Sequence, residues 1–169
     1  MRRLVVVVAA VAAVVAGCSA PPAPPQQFHA SRTVEYRSLQ EAAREAEVVV
    51  EIAVEKEGAA ETVGAVPFTV TSARVTDVLR GSFEGSEISL RQVALASEGE
   101  LLGAGERYVA LLVPFTYEDY KPTGQHVVVG GWQGLYRVEG DELVATDKVR
   151  TALPRRLKRA SFVAALAEP

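Results

Sequence analysis

An all-β domain with flanking helices is the fold class this sequence predicts, and three observations predict it. Val48, Val50, Ile52 and Val54 alternate with Val49, Glu51, Ala53 and Glu55, the period-two signature of a strand with one buried face. The run from Arg107 to Val113 is apolar after its first residue and too short for a typical helix. Helical spacing is confined to two short stretches, one starting at Ser38 and one after Pro154.

Each element follows from local chemistry. Ser38-Leu39-Gln40-Glu41 fits a capping box, in which the Ser38 hydroxyl accepts an amide of the first turn and Glu41 reaches back to the cap amide. The helix is expected to end near Glu47, with Leu39, Ala42, Ala43 and Ala46 on one face. Strand 48–54 follows, and the small residues from Gly58 to Ala65 read as a loop. From Val66 to Leu79 strand character resumes, but Phe68 and Val70 fall on one parity while Ala73 and Val75 fall on the other. That change predicts a bulge near Thr71-Ser72.

Arg80-Gly81-Ser82 marks a turn, Glu87 to Val93 a third strand, and Ala96 to Glu106 a loop turning at Gly103-Ala104-Gly105. The 107–113 segment reads as a central strand covered on both faces and stopped by Pro114. Further strands are expected at His126–Val129 and Leu135–Val138, with Gly140-Asp141 forming a tight hairpin turn into Leu143-Val144-Ala145. The carboxy-terminal segment reads as a helix with Pro154 near its start and Leu157, Ala160 and Ala164 on one side. Ser161 offers a second start.

Residues 1–17 are set apart by composition. Arg2-Arg3, an apolar run from Leu4 to Val15 and then Val15-Ala16-Gly17-Cys18 together resemble a bacterial lipoprotein signal peptide ending in a lipobox. The apolar run is too short to span a bilayer stably. The resemblance implies acylation of Cys18, cleavage before it, and an extracytoplasmic protein anchored in the cell membrane by lipid. Two or three acyl chains at about 0.8 kcal/mol per buried methylene give a stable anchor where one does not. Residues 18–37 then form a tether, whose four prolines at 21, 22, 24 and 25 favour extended polyproline. Fully extended, it reaches roughly 60 Å at about 3.1 Å per residue. Residues 38–169 are expected to form a single domain around one core.

Charge and cysteine usage exclude several classes. Taking Arg2 and Arg3 from the 18 basic side chains leaves 16 against 21 acidic, a formal charge of −5, which argues against nucleic acid. With Cys18 the sole cysteine, the mature domain forms no disulfide and no thiolate metal site. Neither a metal nor another cofactor is implied by the motifs.

A second resemblance rests on Val78-Leu79-Arg80-Gly81, Gly105-Glu106-Arg107-Tyr108 and Gly131-Trp132-Gln133-Gly134, and covers about Ser38 to Ala145. These segments resemble a recurring bacterial extracytoplasmic domain with an OB-like, closed or partly open β-barrel. The barrel is also similar to the netrin-like domain of metalloproteinase inhibitors. Their inhibitory activity does not carry over: this chain lacks the family's disulfides, and an acylated amino group on Cys18 cannot chelate a protease zinc.

Three groups of residues are candidates for recognition. Tyr117 and Tyr120, in the segment from Phe115 to Gln125, fit either a barrel-mouth surface for a peptide, glycan or envelope protein or a plug of the barrel end. Trp132 and Gln133, among Gly130, Gly131 and Gly134, fit either a stacking platform or a bulge. Arg155, Arg156, Lys158 and Arg159 form a basic patch that fits either contact with an anionic bilayer or the solvated face of a terminal helix. Catalysis has little support: His29 and His126 are the only histidines, and no nucleophile-elbow or metal-binding motif accompanies them. The expected function is a non-catalytic binding or interaction module. The alternative is a cell-envelope hydrolase, or an accessory to one, using the same cleft through His126.

Overall fold

The computed structural model describes residues 34–63, 66–93, 100–116, 122–148 and 151–167, with nine strands and two helices among them. Helix α1 (Leu39–Glu45) precedes β1 (Val48–Val54), β2 (Ala59–Val63), β3 (Val66–Arg80), β4 (Glu87–Val93) and β5 (Arg107–Thr116). β6 (Pro122–Val128), β7 (Leu135–Glu139), β8 (Glu142–Ala145), β9 (Arg156–Lys158) and helix α2 (Arg159–Leu166) complete the order. The protein is mainly β with two short flanking helices, in agreement with its periodicities.

Pairing order makes a ring. β1 pairs with β3, β3 with β4, β4 with β6, β6 with β5, and β5 returns to β1. These pairings are antiparallel except β4–β6, whose Ser89↔Gln125 and Leu90↔His126 pairs run parallel. β7, β8 and β9 extend the sheet from the start of β5, and β2 pairs with β3 outside the ring.

Alternation along β1 and β5 sorts side chains into two cores. Val48, Val50, Ile52 and Val54 join Tyr108, Ala110 and Leu112 inside the ring, with Ala73, Ile88, Leu90 and Val128. Val49, Val109 and Leu111 belong to the second cluster, with Leu39, Ala42, Phe162 and Leu166 of the two helices. Both faces of β5 are therefore covered. At roughly 1.5–3 kcal/mol for each large apolar side chain buried, it is a principal source of stability.

Helix α1 starts as expected at Ser38, whose Oγ accepts the Glu41 amide at 3.1 Å. Glu41 reaches one residue further back than the capping box requires, accepting the Arg37 amide at 2.7 Å. The other end of α1 is capped from a distance: Arg80 Nη1 donates to the carbonyls of Ala43 and Ala46, where a cation suits the helix dipole. Gly81 follows with φ +79°, and any Cβ there would collide with the Glu47 carbonyl.

Four expectations are corrected. Part of the expected 58–65 loop is β2, an edge strand with exposed small residues and no apolar alternation to announce it. No bulge occurs at 71–72, because β3–β4 register runs unbroken from Phe68 to Arg74. The irregularities lie against β1, between Val49/Val50 and Glu51/Ile52, where β3 has one residue more than its partner. Strand β5 continues through Pro114 to Thr116. Beyond Leu112 it has lost its β1 partner, so the missing proline donor breaks no ladder on that side.

The carboxy-terminal helix does not begin near Pro154. Arg156-Leu157-Lys158 pairs with β8 as β9, opposite Val144, Leu143 and Glu142, and α2 follows at Arg159. Its buried residues are Phe162 and Leu166, four apart, whereas Ala160 and Ala164 are exposed. Leu157 packs against the outer core from a strand, so the predicted helical face does not exist.

Candidate functional site

Trp132 and Gln133 are the residues of the suggested mouth that the structure describes. The segment holding Tyr117 and Tyr120 precedes β6, and Trp132 and Gln133 follow it. Tyr117 and Tyr120 themselves lie outside the described residues, as does Cys18.

Trp132 is 9% exposed and belongs to the ring's core, so its indole is not presented as a stacking platform. Gln133 is spent on the incoming chain. Its Oε1 accepts the Tyr36 amide at 3.2 Å, and its Nε2 donates to the Val34 carbonyl at 2.9 Å. Tyr36 is buried against Gly130, where any Cβ would come within 2.9 Å of the tyrosine ring. These contacts fix where the domain begins, and they give the Gly-Gly-Trp-Gln-Gly motif a structural task.

Strand β6 is flanked by two side-chain clusters. Its start is tied where Thr116 pairs with Pro122 and Thr123 Oγ1 donates to the Phe115 carbonyl at 2.7 Å. On one side stands Arg91, 3% exposed, with its guanidinium 4.8 Å from the centroid of Phe68 and 4.7 Å from that of Phe115. Arg91 Nη2 donates to both Glu61 oxygens at 2.8 Å, and Nε donates to Gln125 Oε1 at 2.6 Å. A buried cation neutralised and stacked in this way binds β2, β4, β5 and β6 together. Sequence reasoning missed it, because Glu61 read as loop and Phe68 as a core residue.

On the other side His126 turns inward. It meets Phe83 edge-on, with centroids 6.1 Å apart. Its Nδ1 is buried without a hydrogen-bond partner. Burial pushes the imidazole below its ordinary range, and the carboxylate of Glu47 pulls it back only in part. A general base of the Ser-His-Asp kind is oriented by a carboxylate at one nitrogen, and this histidine has no such bond at Nδ1. Among the described residues, no three His, Cys, Asp or Glu side chains converge to hold a metal ion.

Of the basic patch, Arg155 precedes β9, Arg156 and Lys158 lie on it and Arg159 opens α2, and carboxylates pair with the last three. Arg156 pairs with Glu142 at 2.6 Å and Glu139 at 3.1 Å, and Lys158 pairs with Asp141 at 3.0 Å. Hydrogen bonds from Arg137, Lys158 and Arg156 hold Glu139, Asp141 and Glu142, respectively, below the usual carboxylate range. Arg159 bridges Asp77 at 2.9 Å and the buried Glu51 at 3.1 Å, and Glu51 also accepts from Arg107. Arg155 donates to the Asp147 carbonyl at 3.0 Å. Paired cations of this kind project a weak field toward an anionic surface.

The chain matches no protein-family model, and no curated protein matches it.

Proposed function

We propose that this protein is a lipoprotein whose mature domain is held outside the cytoplasmic membrane by acylated Cys18 and acts there as a non-catalytic binding or interaction module. The observation that carries this reading is the order Arg2-Arg3, apolar Leu4 to Val15, then Val15-Ala16-Gly17-Cys18. The domain is an OB-like barrel, a reading supported by the ring β1-β3-β4-β6-β5 with its parallel β4–β6 seam. Because Gln133 secures the chain at Val34 and Tyr36, the tether that the sequence suggests shortens to residues 19–33. Extended, its 15 residues reach roughly 45 Å at about 3.1 Å each.

The interaction surface is the 117–121 segment at the start of β6, with Tyr117 and Tyr120 as its aromatic contacts and a peptide, glycan or envelope protein as partner. Trp132 lies too deep to share that surface.

Metabolic labelling with a palmitate analogue tests the anchor. The wild type takes up label and sediments with membranes, whereas Cys18→Ala does neither. An unlabelled wild type recovered from the cytosol overturns the proposal. Crosslinking and affinity capture from solubilised envelopes then compare the wild type with a Tyr117→Ala/Tyr120→Ala variant. Equal recovery of every partner discards the surface.

A further inference from the structure

The geometry points to His126 as a proton-operated plug: neutral, it seals one end of the ring against Phe83, and protonated, it swings toward Glu47 and opens the interior there. In register His126 stands between Leu90 of β4 and Pro114 of β5. Alternation along β6 places it on the same face as Val128, which lies in the inner core. Phe83, on the β3–β4 connection, packs against that core and meets the imidazole edge-on at an interplanar angle of 70°. The pair closes the end of the ring where β4 and β6 begin.

The two protonation states differ in what this position asks of them. A neutral imidazole leaves one nitrogen as a bare acceptor, whereas imidazolium carries two N–H donors. Nδ1 is buried without a partner, so the second donor would face the wall unsatisfied. Leu90, Pro114 and Phe83, its neighbours on β4, β5 and the β3–β4 connection, cannot ionise. Among the described residues the charged group that acts on it is Glu47, exposed on the α1–β1 connection. A cation at 126 is therefore expelled from the interior and drawn toward one carboxylate outside it. Leu90, its partner on β4, and Leu112, which pairs with Val128 two residues along β6, are inner side chains beside the position it leaves, and Val50 and Ile88 belong to the same cluster.

Two-dimensional NMR of the full chain in detergent follows His126 directly, since His29 is the only other histidine and the His126 signals are those missing from His126→Phe. Amide protection factors at Val50, Leu90 and Leu112 read the opening. They are expected to fall by up to about tenfold per pH unit once His126 begins to titrate, the limit for one linked proton. In His126→Phe they stay level over the same range, and in Glu47→Gln the fall begins at lower pH. His126 titrating at or above the ordinary histidine value, about 6.5, overturns the proposal without any variant. So does a His126→Phe or, if that variant fails to fold, a His126→Gln protein that loses protection in step with the wild type.

Discussion

The two ends of the ring are closed by different chemistry, and the difference lies in whether a buried polar group has a partner. Where β4 and β6 finish, the 100–106 connection lies across the opening with Leu102 in the inner core. Gln92 Oε1 accepts the Leu102 amide at 3.1 Å, Tyr108 Oη accepts the Gly103 amide at 3.0 Å, and Tyr108 donates to Glu106. Trp132 supplies the apolar bulk behind them. Where β4 and β6 begin, half-buried Phe83 covers a histidine whose inner nitrogen has none. A satisfied polar group locks an end, and an unsatisfied one leaves it responsive to a proton.

The largest effect expected from breaking this contrast is at Trp132. Trp132→Ala deletes most of a buried indole and should cost about 3–5 kcal/mol in urea unfolding. Phe83→Ala, removing a half-buried ring, should cost less than half of that. Equal losses would mean that the two ends are packed alike.

Next in size is the response to pH, which should run in opposite directions at the two ends. Burial, and then the hydrogen bond to Glu106, push the Tyr108 phenol up to about 12. A folded-state value above the unfolded one near 10 means that this stability is complete below pH 10 and is lost as pH rises from there to 12. The loss is on the order of 2 kcal/mol. His126 is shifted downward, so its contribution is complete above the ordinary histidine value and is lost as pH falls below it. Unfolding midpoints across pH, in wild type and Tyr108→Phe, check the alkaline side. The variant should lose less than the wild type, keeping the share due to Tyr136, whose deeper burial raises it further, and the share due to Tyr36. An undiminished alkaline loss would remove Tyr108 from the lock.

Elements that bury an apolar row were legible in the sequence, and elements held by charge or by an edge were not. β1, β4 and β5 announce themselves by alternation or by a continuous apolar run, and the β7–β8 hairpin by Gly140-Asp141, with φ +65° at the glycine. β2 exposes small side chains and is anchored by one ion pair to Arg91, thirty residues away. β9 is held by acids on the β7–β8 hairpin, so its Arg156 and Lys158 looked like the solvated side of a helix and its Leu157 like the apolar side. Parity misled at Phe68 for the same reason: the residue faces outward, but onto a buried guanidinium. In the candidate site, chain order offered Trp132 as a surface ring, and its burial in the inner core takes it off the surface.

The smallest difference separates two side chains that each tie down a connection. Gln92→Ala at the locked end leaves the Leu102 amide buried without its acceptor, at a cost of about 1–3 kcal/mol. Thr123→Ala at the other end removes the hydroxyl that donates to Phe115 and accepts the Gln125 amide at 3.2 Å, beside exposed positions where water can replace it. Its cost should be about 0.5–1 kcal/mol. Hydrogen exchange separates the two further: Gln92→Ala should expose the Leu102 and Gly103 amides while leaving Gln125 unchanged, and Thr123→Ala the reverse. If either substitution loosened both connections together, the ends would be one cooperative unit, and the opening of one without the other, on which the histidine plug depends, would not occur.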